Sequence, residues 1–232
     1  MQPTLTHITA TGIDRSTVPV ALLALQRRYP LAEFGLLLSA KPQENPRFPD
    51  VEYLSRLEGL GLRLSLHLCG SLARNAARGD FAPAAALLGG RFRLFRRIQL
   101  NITGYGDKEP IGRLAVNVPA GVEEVIIQQR DANHAGAFLE AEQDEPQLSV
   151  LLDASGGRGI TGSLLAVGER YHTGFAGGFS PENIGDIVRH IKGMDGVGRF
   201  WVDAESRLRD ERDRFDFNKV EQYLKAATEA AR

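Results

Sequence analysis

Residues 171–192 read YHTGFAGGFSPENIGDIVRHIK: a short apolar run, a glycine pair and then a helical pattern. Tyr171 to Ala176 has the length and composition of a buried strand. Ser180 is placed to cap a helix, Pro181 takes the favoured first helical position, and Ile184, Ile187, Val188 and Ile191 fall at helical spacing to make one apolar stripe. The pattern predicts a helix over 180–192. A strand that runs straight into a helix is half of a right-handed crossover, the unit from which parallel sheets are built.

That unit repeats, at roughly one per 29 residues of the 232. Apolar runs bounded by Gly, Pro or Asn predict strands near 5–11, 34–39, 63–69, 96–102, 122–129, 148–153, 171–176 and 199–204, with helices between them. A last helix is expected from Asn218, where Val220, Tyr223, Leu224 and Ala227 fall on one face. Eight strand-helix units suit a closed (β/α)8 barrel, the TIM barrel, an α/β fold filling residues 1–232 as a single domain. A doubly wound open sheet is the alternative. Nothing reads as a second domain or linker, and the charge-rich run Arg207 to Arg214 reads as a solvated loop.

Composition narrows the function classes. With 43% hydrophobic and 25% charged residues the chain can bury a sizeable core, which excludes disorder and coiled coil. Lys and Arg total 28 against 29 Asp and Glu, a net charge of −1, so no overall field gathers nucleic acid or an acidic membrane. The single cysteine, Cys69, excludes an internal disulfide framework. The first residues carry neither the basic start nor the apolar run of a secretory signal, and a cytoplasmic protein is expected.

Alternation along each strand then divides helix-facing from barrel-facing residues. Leu66 and Leu68 belong under the helices, which turns Ser65, His67 and Cys69 inward. The same logic places His7, Thr9 and Thr11 inside on the first strand, Gln99 and Asn101 on the fourth, and Ser149 and Asp153 on the sixth. Such an interior is unusually polar, and buried polar groups need partners. The deeper His7, Ser65, Gln99 and Ser149 are expected to satisfy one another. Active sites of this fold sit at the C-terminal ends of the strands, which singles out Thr11, Cys69, Asn101, Arg130 and Asp153. Cys69 can equally be read as a small buried hydrophobe and His67 as a satisfied core histidine. The five histidines are scattered without carboxylates at ligand spacing, so no metal is expected.

Two glycine-rich stretches follow strands. Residues 157–162, GRGITG, fit G-x-G-x-x-G, but the next strand ends in Gly177-Gly178 rather than the acid that would hold a ribose, so no nicotinamide cofactor, nor any other, is expected. Gly177-Gly178 before the capped helix would bring a phosphate to backbone N–H groups, at the position after strand seven where barrels commonly bind one.

The stretch Phe175-Ala176-Gly177-Gly178-Phe179-Ser180-Pro181-Glu182-Asn183-Ile184 resembles the L-A-G-G-L-x-P-E-N-V signature of phosphoribosylanthranilate isomerases. Leu152-Asp153 followed by Gly156-Gly157-Arg158-Gly159 is similar to that family's L-D…G-G-T-G, Pro46-Arg47-Phe48 to S-P-R-Y, Leu66-His67-Leu68-Cys69-Gly70 to V-Q-L-H-G, and Val202-Asp203-Ala204-Glu205-Ser206 to V-D-V-S-S-G. Phe215-Asp216 with Lys219-Val220 resembles the family's K-D-x-x-K-I. The matches keep their order over nearly the whole chain. The resemblance implies a ketol isomerisation of a phosphorylated ribosyl amine, with Asp153 as general acid, Arg47 meeting a substrate carboxylate, and Gly157, Gly159, Gly177, Gly178 and Ser206 cupping the phosphate. Asn101 and Arg130 complete the expected substrate contacts.

The departures are equally informative. The family's K-I-C-G, whose cysteine is the general base, corresponds here to Thr9-Ala10-Thr11-Gly12, and an alcohol lacks the thiolate that makes cysteine a base near neutral pH. Cys69, with His67 two residues below to help it ionise, is the expected substitute, and Thr11 keeps the old position. Glu205 puts a negative charge where the family seats phosphate, which Arg207 or Arg209 would compensate. A divergent barrel that binds a phosphorylated or carboxylated small molecule with another reaction, or none, is the competing reading. In either case the expected partner is a small molecule, not nucleic acid or a membrane, and a homodimer is left open.

Overall fold

The computed structural model describes residues 2–41, 47–102, 117–129, 148–153 and 164–232. Eight strands, β1 (Thr4–Thr11), β2 (Ala32–Ser39), β3 (Leu64–Cys69), β4 (Arg97–Asn101), β5 (Glu124–Gln129), β6 (Leu148–Asp153), β7 (His172–Ala176) and β8 (Arg199–Ala204), form one closed barrel. Every neighbouring pair is parallel, and β8 closes onto β1. The open-sheet alternative is thereby excluded, and each strand boundary lies within two residues of its predicted place.

The described helices are α1 (Pro19–Arg28), α2 (Val51–Ser55), α3 (Ser71–Ala77), α4 (Ala82–Leu88), α5 (Ile184–Lys192) and α6 (Phe217–Ala231). The outward residues of the strands, among them Leu66, Leu68, Ile98, Leu100 and Val150, are fully buried beneath them. Val220, Tyr223, Leu224 and Ala227 of α6 are buried as their spacing predicts. Asp216 caps that helix by accepting from Asn218 and Lys219 N–H. No helix among the described residues is long and apolar enough to cross a membrane.

One helix start differs from the prediction. Ser180 does not cap α5; residues 181–183 form a turn, and the helix begins at Ile184. The reason is Asn183, whose Oδ1 accepts from Ser180 N–H at 2.8 Å while its Nδ2 donates to Gly178 O at 3.1 Å. The asparagine side chain thus braces the turn that precedes the helix and makes no capping bond to the helix itself.

The interior is polar at both ends. Its floor carries an arginine between two acids: Arg97 Nη1 donates to Glu33 Oε1 at 2.8 Å, and its Nε donates to Glu124. Thr9 Oγ1 adds a bond to Glu33 at 2.9 Å. Burial alone would raise both carboxyls, but Arg97 beside them holds them below their usual range. Above the floor lies a small apolar cluster of Ile126, Leu151 and Trp201, with the Arg97 guanidinium 4.3 Å from the indole centroid. The indole fits because Gly174 faces it: a Cβ there would stand 2.2 Å from two ring atoms. Sequence reading passed over both acid and base of this floor: Glu33 lies one residue before the predicted strand 34–39, and Arg97, which shares the inward parity of Gln99 and Asn101, was given no role.

Candidate active site

The third level, at the C-terminal ends of the strands, is a cavity of about 250 Å³. Thr11, His67, Cys69, Asn101, Asp153, Gly177, Gly178 and Ser206 all line it, so the structure brings together eight of the candidate residues. Arg130, Gly157 and Gly159 lie outside the described residues. Alternation of side chains, read from the sequence, therefore points the strand residues Thr11, His67, Cys69, Asn101 and Asp153 to one place.

His67 is the hub of the wall formed by β3 and β4. Gln99 Nε2 donates to His67 Nδ1 at 3.1 Å, so the ring hydrogen sits on Nε2 and is donated to Ser65 Oγ at 3.0 Å. Gln99 also donates to Asn101 Oδ1 at 2.8 Å, and Asn101 Nδ2 donates to Cys69 Sγ at 3.5 Å. Burial pushes the His67 ring down to about 4, so it is neutral at pH 7. It is a satisfied interior histidine. Of the deeper residues expected to pair, Ser65 and Gln99 do so through His67, and His7 bonds Thr6 at 3.1 Å, whereas the buried Ser149 hydroxyl has no partner among the described residues.

The expectation that His67 helps Cys69 to ionise is corrected by this geometry. Both ring nitrogens are spent on Ser65 and Gln99, and the contact of Cys69 with His67 is to the backbone carbonyl, at 3.8 Å, rather than to the ring. Burial pushes the thiol up to about 11, the opposite of what a base near neutral pH requires.

Across the cavity, Gln128 Nε2 donates to Asp153 Oδ2 at 2.8 Å and fixes the carboxyl in place. Sequence reading missed Gln128. It also gave no role to Asp203, the penultimate residue of β8, whose side chain is inward and buried. Thr11 Oγ1 donates to Asp203 Oδ1 at 2.7 Å. Thr11 fits there because Gly35 has no side chain: a Cβ would meet the threonine oxygen at 2.4 Å. Burial pushes the Asp203 carboxyl up to about 8 against the Thr11 bond, with Glu205 adding to the rise. A signal was available: Phe200 and Val202 face the helices, so Trp201 and Asp203 must face inward.

The mouth is braced by ion pairs between loops. Arg47 does meet carboxylates, but they belong to this chain: its Nε and Nη2 reach Asp213 at 2.8 and 2.7 Å, and its Nη1 reaches Glu205 at 2.7 Å. Glu205 is thus offset by Arg47. Arg209 cannot serve as the compensating cation, because it is buried against Asp14 at 2.8 Å and Asp213 at 2.9 Å. Arg207, in contrast, lines the cavity. Gly177 and Gly178 have φ of +124° and +65°, a backbone that requires glycine, and no acceptor among the described residues meets the N–H of Gly178 or Phe179.

These groups set how stability depends on pH. His7 and His67 are each pushed down to about 4 in the folded protein from an ordinary 6.5. The unfolded chain therefore binds more protons between those values, and stability falls as pH drops from 6.5 to 4. Asp203 acts oppositely: folded, it keeps its proton up to about 8, so stability falls as pH rises from 3.8 to 8. Two histidines outweigh one carboxyl below 6.5. We expect thermal melts across pH 4–9 to peak near 6.5, and a protein most stable at pH 9 would contradict this assignment.

The fold and the position of the cavity define a (β/α)8 barrel with a polar pocket at its C-terminal mouth. Similar solved structures share that fold over nearly their whole length. Phosphoribosyl anthranilate isomerase from Thermus thermophilus matches with a TM-score of 0.62 at 16% identity, covering 96% of this chain and 98% of that one. A phosphoribosyl anthranilate isomerase in complex with reduced 1-(o-carboxyphenylamino)-1-deoxyribulose 5-phosphate matches with a TM-score of 0.58 at 15% identity, covering 97% and 100%. A barrel of different activity, 3-hexulose-6-phosphate synthase from Salmonella typhimurium, matches with a TM-score of 0.51 at 11% identity, covering 99% and 100%. No protein-family model matches the chain, and no curated protein matches it by sequence.

Proposed function

We propose that this protein is an isomerase of a phosphorylated ribosyl amine, converting its aldose-type end to a ketose by proton transfer between adjacent carbons. The observation that carries the reading is the adjacency of an acid and an anion grip. Asp153 pairs in register with Ala176, the last residue of β7, and the next residues are Gly177 and Gly178. The carboxyl and the glycine loop are thus about one strand spacing apart, ~4.8 Å between backbones. A sugar phosphate seated on the N–H groups of Gly178 and Phe179, with Arg207 beside it, would present its ring to Asp153. Asp153 would protonate the ring oxygen and open the sugar. The isomerase-like barrel shape supports the same reading, and a phosphoribosyl derivative of anthranilate, an intermediate of tryptophan biosynthesis, is the substrate to try first.

The experiment is growth complementation of a tryptophan auxotroph lacking the isomerase, where growth is expected and failure by a well-expressed protein counts against the reading. Anion binding has its own test. Inorganic phosphate titrated into the protein should move the amide signals of Gly178 and Phe179 first, while Ser180, whose N–H is held by Asn183, moves less. Stationary Gly178 and Phe179 signals would mean that the grip lies elsewhere.

A second reading, a divergent barrel that binds an anionic small molecule with a different reaction, is favoured by Arg47. Its guanidinium is occupied by Asp213 and Glu205 rather than turned to a ligand carboxylate. Turnover of a phosphoribosyl amine lacking the carboxylate, at a rate matching or exceeding that of the anthranilate derivative, would be its signature.

A further inference from the structure

An isomerisation of this kind needs two proton-transfer groups, and the cavity holds only a few candidates for the second. Among the described lining residues, His67, Cys69, Asp153, Asp203 and Glu205 can take up a proton. His67 has both nitrogens engaged, Glu205 is tied to Arg47 at 2.7 Å, and Asp153 already has the role of the acid in the reading above. Cys69 sits against the Asn101 amide and the His67 carbonyl with no cationic partner. Asp203 remains, and it accepts at 2.7 Å from Thr11, the residue that corresponds to the cysteine of the K-I-C-G signature.

We propose that Asp203, held by the Thr11 hydroxyl, is the group that removes the C2 proton, so that a threonine and an aspartate on neighbouring strands together do the work of one cysteine. The inference rests on the isomerase reading above. Register supports it: Asp153 pairs with Ala176, and Ala176 pairs with Asp203. The two carboxyls therefore rise at one level on either side of β7, with backbones about two strand spacings apart, ~10 Å. A furanose ring above the Gly177-Gly178 loop fits between them.

The chemistry closes on itself. Asp153 gives its proton to the ring oxygen, the C–O bond breaks, and an iminium forms at C1. Asp203, as a carboxylate, takes the C2 proton; that bond's electron pair becomes the C1–C2 double bond, and the iminium electrons return to nitrogen. Asp203 then protonates C1 while Asp153 recovers the proton of the C2 hydroxyl, leaving a ketone. Both acids end as they began, and no oxidant or reductant is consumed.

Several groups set the ionisation of Asp203. Burial dominates, Thr11 favours the carboxylate, Glu205 and Glu33 oppose it, and Arg97 assists it from the floor. Tyr223 approaches from α6 and stays protonated. With the carboxyl at about 8, the fraction of Asp203 present as carboxylate rises about tenfold per pH unit below 8 and then levels, and kcat/KM should follow that rise wherever Asp153 holds its proton.

The test is the pH profile of kcat/KM for the full-length protein on the phosphoribosyl derivative of anthranilate. Asp203→Asn should lose at least about 10²-fold, as expected for a general base, and should lose the rise towards pH 8. It should nevertheless melt no lower than wild type, since the amide need not hold a proton to be buried, and a merely structural aspartate would not behave so. Thr11→Val, which removes the bond favouring the carboxylate, should move the rise to higher pH. If Asp203→Asn proves too unstable to assay, that shift decides the matter. Loss of activity in Asp153→Asn alongside a wild-type profile in Asp203→Asn and Thr11→Val would overturn the inference and leave the isomerase reading standing. A wild type with no turnover would overturn both.

Discussion

Arg97→Met should destabilise the protein by about 3–5 kcal/mol at pH 7, the usual cost of leaving buried charges without their partner. Arg97 and Glu33 are 3% and 1% exposed, and Glu33 takes its ion pair from Arg97 alone among the described residues. Removing the guanidinium also leaves Glu124 with the His172 ring as its remaining partner among the described residues and uncovers one face of Trp201. For a chain of this length such a loss lowers Tm by roughly 10 °C. Adding Glu33→Gln should recover part of it, because one of the stranded charges is then gone. Urea unfolding of the single and double variants measures both quantities. A single variant as stable as wild type would mean that the floor is hydrated and that the pair contributes nothing. The buried triad is not itself a source of stability, and an apolar floor of equal volume could do as well.

The second large effect is on turnover. Asp153→Asn should lower kcat/KM for a phosphoribosyl amine by at least about 10²-fold, since an amide cannot protonate the ring oxygen. Asparagine keeps the shape, and its side-chain oxygen can still accept from Gln128, so the fold should survive. The loss should therefore appear in kcat with little change in melting temperature. Rescue by a substrate analogue supplied with its ring already open would locate the defect at ring opening. An Asp153→Asn protein that turns over at the wild-type rate would remove the acid from its role and the present mechanism with it.

What the sequence makes visible follows from what repeats. Strand position and facing depend on local composition and on a period of two, so the barrel and the inward set Thr11, His67, Cys69, Asn101 and Asp153 are legible in advance. What escapes depends on partners far along the chain. Arg47 invites a ligand carboxylate on its chemistry alone, and nothing local discloses that Asp213, 166 residues later, occupies its fork. Cys69 is correctly turned inward, yet its ionisation is set by how completely β3 and β4 enclose it. Asp203 was in view inside Val202-Asp203-Ala204-Glu205-Ser206, but its importance comes from its bond to Thr11 across the closure of the barrel, 192 residues away. The helix after β7 shows the same limit on a smaller scale, because Ser180 carries a capping signal that the Asn183 side chain overrides.

If the mouth of this barrel isomerises a phosphorylated ribosyl amine, the purified wild-type protein should turn over the phosphoribosyl derivative of anthranilate in a steady-state assay. Formation of the ketose product should be saturable, faster as pH rises towards 8 and inhibited by inorganic phosphate competing for the Gly178 and Phe179 N–H groups. No product at high enzyme concentration, from a folded protein whose Gly178 and Phe179 amides still respond to phosphate, would contradict it.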